Sequence, residues 1–203
     1  DKHRRFVHDG PPQSAPELER SFLTSEELPT TEQLAAIGAV ASNWSQLEYI
    51  LEMALARLAM APEFPSLALT NKLGIDNRLQ AIKWLIAIQK HRHSVLDPEL
   101  LDILSNMLPD IAKLKDRRNI IVHAVWIRLG EKITAHRFSA ALYAPDKPQP
   151  PSYTLDEINA VAQDIQKVTS ALWIVVQLLP FVDESQLPKS LVRSKYHLPR
   201  DTK

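Results

Sequence analysis

Residues 113–126 of this 203-residue chain place three side chains where they could do chemistry: Arg118, the adjoining Asn119, and His123 four residues further on. An arginine keeps its charge at any physiological pH and offers five N–H donors in a flat fork, the shape that grips a phosphate or a carboxylate. An imidazole, with an unperturbed pKa of about 6.5, takes or gives a proton at neutral pH. The amide of Asn119, one turn before His123, can hold either the imidazole or a phosphate by hydrogen bond.

The element that must position them is an amphipathic helix ending near this run. At 100° per residue, Ile111, Leu114, Ile121, Val122 and Val125 fall on one stripe, with Arg118 in its middle. Asp116, Asn119 and His123 line up on an adjoining polar strip. A first helix is expected over residues 31–60, capped by Thr30 or Thr31 and stopped by Pro62, with Leu34, Ile37, Trp44, Leu47 and Leu51 at helical spacing. Glu48 lies inside that apolar stripe, where a carboxylate is costly unless paired. It is therefore the best acceptor in the chain for Arg118. The pair reads either as a buried clamp between two helices or as the edge of a cleft in which Glu48 orients the guanidinium toward a phosphate.

Arg118-Asn119, three residues, then His123 resembles the signature of the HEPN superfamily. The likeness covers residues 31–180, with weaker support from Trp44 and Glu48. It implies an all-α, four- to five-helix bundle acting as a homodimer, in which Arg and His of two subunits face one groove. Many such proteins are metal-independent endoribonucleases, often toxins or defence proteins with an antitoxin or regulatory partner. In that scheme the ribose 2′-hydroxyl attacks the adjacent phosphate, leaving a 2′,3′-cyclic phosphate and a 5′-hydroxyl. His123 would move the proton, and Arg118 would stabilise charge on the phosphate. No metal or cofactor is implied. In one toxin branch a tyrosine two positions after the histidine receives a nucleotide; here that position is Val125, so such silencing is not expected. The alternative is a non-catalytic bundle that binds RNA or a partner protein.

Other residues have two readings each. Trp44 and Trp126 could stack on a base or fill the core. Lys113, Lys115 and Arg117 could line a phosphate path or form a solvated face. His91 and His93 lack a third ligand nearby and do not make a metal site. There is no Gly-rich phosphate loop and no nucleophile elbow.

The rest of the chain frames this bundle. Residues 1–29 form a proline-rich, partly ordered arm that Phe22 and Leu23 could anchor, and residues 30–182 the bundle. Within the bundle, a short helical piece is expected over 66–73 and a helix from an Asp76 cap to residue 91, with Lys72, Arg78 and Lys83 supplying positive charge. Asp97-Pro98 is a strong start signal, and Pro109 later either kinks the helix or divides it in two. A change to period two predicts a hairpin over 124–138, turning at Gly130-Glu131. Four prolines make 143–153 an irregular loop, and the capping box Thr154-Leu155-Asp156-Glu157 opens a last apolar helix ending at Pro180. Residues 183–203 form a basic tail.

Composition bounds the function. Lys and Arg (24) balance Asp and Glu (24), so the whole molecule exerts no long-range pull on polyanions, and any RNA site must be a local patch. The absence of cysteine excludes disulfides and thiolate zinc sites and fits a reducing compartment. No apolar run reaches membrane-spanning length and no signal peptide is visible, so a cytoplasmic protein is expected. The first residue is Asp1 rather than Met, which leaves room for residues upstream.

Overall fold

Thr30 opens the longest helix with a capping box: its hydroxyl accepts from Gln33 N, while its own N–H donates to Gln33 Oε1. In the computed structural model, which describes residues 26–92, 96–136 and 151–182, this helix is α1, Thr31–Leu58. Its two ends differ in kind. The C-terminus closes with Met60 N–H to Arg57 O and Ala61 N–H to Ala56 O, the pattern that places a left-handed residue just past the cap. Met60 occupies that position at φ 53°, where glycine carries no steric penalty. Met60→Gly should therefore raise stability by about 1 kcal/mol, read as a higher urea midpoint at unchanged slope.

Among the described residues four more helices follow: α2 (Glu63–Thr70), α3 (Ile75–His91), α4 (Pro98–His123) and α5 (Leu155–Leu178). Asp97 caps α4 by accepting from Glu99 N at 2.9 Å, with Pro98 in the first turn where its missing N–H costs nothing. Pro109 sits inside α4 and does not divide it. The cap of α3 is Gly74 rather than Asp76, because the Asp76 carboxylate is taken by Lys115 of α4. The short second helix also starts earlier than its apolar pattern implies, directly after Pro62.

Val40, Trp44, Leu47, Leu51 and Leu58 of α1 are essentially removed from water, as are Ile82 of α3, Leu104 and Ile111 of α4, and Ile158, Ile165 and Val176 of α5. So α1 is the axis on which the others pack, and Asn43 Nδ2 donates to Ala162 O at 2.9 Å to set its register against α5. Leu34, though at helical spacing, stays exposed.

The hairpin is present as β1 (Val125–Leu129) and β2 (Lys132–His136), joined by Gly130-Glu131 with Gly130 at φ 66° as the turn requires. Val125 thus belongs to a strand and is exposed, not part of the buried stripe of α4. A third strand, β3 (Ser152–Tyr153), pairs antiparallel with β2, so the end of the expected irregular loop is ordered and the fold is a helical bundle with a small three-stranded sheet. Arg128 N–H and Nε on β1 donate to the carbonyls of Glu27 and Glu26, which ties the end of the N-terminal arm to the sheet edge. The rest of that arm with its Phe22 and Leu23, residues 137–150 and the basic tail lie outside the described residues.

At α5 the expected capping box forms. Glu157 N–H donates to the Thr154 hydroxyl at 3.2 Å, and Thr154 N–H donates back to Glu157 Oε2 at 2.7 Å. That backbone N–H, and secondarily the Thr154 hydroxyl, hold the Glu157 carboxyl below its ordinary value. A lowered carboxyl contributes stability above the unfolded-state value and loses it as pH falls through the folded one. Thr154→Ala should cost about 1 kcal/mol at neutral pH; because it keeps the backbone N–H that chiefly holds Glu157, the gap from wild type should narrow only in part in acid unfolding titrations below about pH 4.

Candidate active site

The last two turns of α4 bring the three expected side chains together. Arg118 Nη1 donates to Asn119 Oδ1 at 3.0 Å and lies 2.9 Å from His123 Nε2. A guanidinium only donates, so the contact is a hydrogen bond in the tautomer whose Nε2 lone pair is free. His123 is the final residue of α4 and is exposed, while Arg118 and Asn119 are half-buried. The underside of the guanidinium rests on Trp44 of α1, with Cζ 5.7 Å from the ring centroid. This accounts for an arginine amid apolar residues: its charge lies over the indole, and Nη1 reaches the polar partners. Arg118 Nε is buried and has no hydrogen-bond partner.

The expected Arg118–Glu48 pair does not form. Glu48 lies 3.5 Å from Arg78 of α3, and Glu52, one turn further along α1, lies 2.6 Å from the same guanidinium. Glu48 follows Trp44 by one turn on α1, and the two side chains meet different arginines, Arg78 and Arg118. The clamp between helices therefore joins α1 to α3, leaving Arg118 without a carboxylate partner among the described residues. Asn119 holds the guanidinium rather than the imidazole. Asp116 is exposed with its carboxylate 3.4 Å from Lys115 Nζ, and no contact links it to Arg118 or His123 among the described residues.

The remaining candidates go elsewhere. Trp126 is buried, donates its indole N–H to Ile121 O at 2.9 Å, and meets Tyr153 edge-on; it is a core residue that anchors the sheet to α4. Trp44 is also core, touching the site only through Arg118. The three neighbouring cations all have carboxylate partners within the chain: Lys113 with Asp110, Lys115 with Asp76, and Arg117 with Asp164. The hydrogen bond to Asp76 is the main reason the Lys115 ammonium is held above its ordinary value. Any phosphate near these residues must first compete with a carboxylate.

Two arginines are buried as deeply as apolar side chains: Arg78, expected only to supply positive charge but instead paired with Glu48 and Glu52, and Arg57 near the end of α1, which the sequence reading did not single out. Arg57 Nη1 donates to the carbonyls of Val176 at 2.7 Å and Leu179 at 3.3 Å, capping α5 from a neighbouring helix. The signal was the one that singled out Arg118: at 100° per residue Arg78 falls beside Ile82 and Ile86 on the buried stripe of α3.

Among the described residues, no three His, Cys, Asp or Glu side chains gather as a metal ion would need, and no helix is long and apolar enough to cross a membrane. His91 is exposed at the end of α3, and His93 lies outside the described residues. Comparison with protein-family models, curated proteins and solved structures finds no match for this chain.

Proposed function

We propose that this protein is a HEPN-like, homodimeric endoribonuclease that cleaves RNA through attack of a 2′-hydroxyl, without a metal or other cofactor. The observation that carries the reading is the 2.9 Å contact between Arg118 and His123 at an exposed helix end. Two groups five positions apart are thereby close enough to act on one phosphate.

The contact also orders the steps. At rest the imidazole lone pair on Nε2 is occupied by the arginine. A charged phosphate is a stronger acceptor than a neutral imidazole, so substrate draws the guanidinium away and frees Nε2. The freed nitrogen takes the proton of the 2′-hydroxyl while the 2′-oxygen bonds to phosphorus. The P–O5′ bond breaks, and O5′ takes a proton from water or from an imidazolium. Arg118 meets the charge on the non-bridging oxygens, with Asn119 fixing its plane and Trp44 its height.

The test is incubation of the purified full chain with mixed RNA in excess EDTA, with end analysis of the fragments. Cleavage leaving 2′,3′-cyclic phosphates and 5′-hydroxyls supports the proposal. Intact RNA, or fragments with 3′-hydroxyl ends, overturns it.

A second reading has its own observation. Because Lys113, Lys115 and Arg117 are all engaged by carboxylates, the surroundings of the site are poor in free cations for RNA. This favours a non-catalytic module that meets a regulatory protein, for which His123→Ala would leave binding unchanged.

A further inference from the structure

Away from Arg118, the end of α1 with α2 and α3 encloses an open groove of about 430 Å³. One wall is a stripe on α3 at helical spacing, Ala81, Trp84, Leu85 and Ile88; the facing wall includes Leu69 of α2 and Leu73 just after it. The end of α1 and the residues after it add Leu55 and three small side chains, Ala56, Ala59 and Ala61. Leu69 is 80% exposed and Trp84 64%, so two of the largest apolar side chains in the molecule stand in water. Contiguous apolar surface of this kind marks a place where something binds.

The shape and the charge narrow what that is. Apolar side chains from two helices, with three alanines among the lining, let a third helix approach closely, as helices pack on one another. The walls stand open with protruding side chains, unlike the enclosed channel that a single acyl chain needs. Ala81 to Ile88 spans about 10 Å, or two turns of a helix laid alongside. Cations stand near both ends. Lys72 adjoins Leu73, and Arg92 continues the α3 stripe one turn past Ile88. Both are exposed, and among the described residues neither has a carboxylate partner, in contrast to the cations around Arg118.

We infer that this groove docks an amphipathic helix of another protein, apolar along one stripe and acidic at its ends. The occupant inserts aliphatic side chains at i, i+3, i+4 and i+7 between Leu69 and Trp84, and its terminal carboxylates meet Lys72 and Arg92. The inference is independent of the nuclease proposal, because no residue of the groove belongs to the site at Arg118.

The experiment uses the full chain and two fluorescein-labelled helical peptides of about 16 residues, each with four leucines at that spacing. One carries glutamates at both ends, the other lysines. The acidic peptide should bind at least about 10-fold more tightly by anisotropy, and binding should blue-shift a part of the tryptophan emission that Trp84→Phe removes. Leu69→Glu, at an exposed position that does not threaten folding, should weaken binding by about 10-fold or more. Lys72→Glu combined with Arg92→Glu should reverse the preference between the peptides. Equal binding of both peptides, or none at about 1 mM, overturns the inference. So does self-association of the wild type that Leu69→Glu abolishes, which would make a second copy the occupant. Displacement of the acidic peptide by laurate with no effect of the Lys72/Arg92 reversal would also overturn it.

Discussion

Arg78→Met should lower the free energy of unfolding by about 3 kcal/mol, the largest stability loss expected from a single substitution among the charged residues. Arg78 is 6% exposed and holds two carboxylates of α1, Glu52 at 2.6 Å and Glu48 at 3.5 Å, while Nη2 also donates to Asn71 O at 3.3 Å. Its removal strands Glu52, a nearly buried carboxylate, beside a second one of like charge a turn away on the same helix. The effect falls at the lower end of the range for buried pairs because Glu48 keeps about a third of its surface in water. The desolvation cost of the cluster is not fully recovered, since Arg78 Nε has no partner. Replacing the cluster as a unit, with Arg78→Met, Glu52→Leu and Glu48→Gln together, should therefore restore most of the loss. Urea titrations of the single and triple variants check this. A single-variant loss under about 1 kcal/mol would show that the clamp contributes no more than a surface pair.

Arg118→Ala should do the reverse, lowering RNA cleavage by about 100- to 1000-fold while costing about 1 kcal/mol of stability. Among the described residues no carboxylate is stranded when Arg118 goes; what is lost is a cation–π contact with Trp44 and hydrogen bonds to Asn119 and His123, both of which reach solvent. His123→Ala, at an exposed helix end, should leave the melt within about 0.5 kcal/mol of wild type and lower cleavage by about 100-fold or more. Asn119→Ala should affect cleavage less than either, because the amide orients the guanidinium and does not replace it. A large stability loss in Arg118→Ala would make that arginine structural and remove the basis of the mechanism. The pairing of thermal melts with cleavage assays thus separates the two arginines: Arg78 carries stability, Arg118 carries activity.

The helices were legible because their signals are local. Thr30, the Asp97-Pro98 pair and the Thr154 capping box satisfy N–H groups within their own first turn, and Pro62 and Pro180 stop helices wherever the chain goes afterwards. The Gly130-Glu131 turn and the change to period two identified the hairpin for the same reason. The brief pairing of Ser152-Tyr153 with β2 was not legible, since two residues carry no periodicity. Asp76 misled the placement of a cap because a free carboxylate at a helix start is equally available to a lysine from another helix.

What the sequence determined by itself is the set of groups within reach along one helix. Arg118, Asn119 and His123 lie within six consecutive residues at the end of α4, so their nearness was legible; Arg118 and His123 stand on different faces of the helix, and the reach of the arginine side chain closes the contact. Partner choice between helices was decided only by tertiary structure. Charge and periodicity made Glu48 an acceptor in search of a buried arginine from another helix, and Arg118 and Arg78 both met that description. The packing of α3 against α1 gave the carboxylate to Arg78, the packing of α4 laid Arg118 on Trp44, and α5 took Arg57. An ion pair has no sequence spacing when its members lie on different helices, and so only the folded arrangement selects among equal candidates.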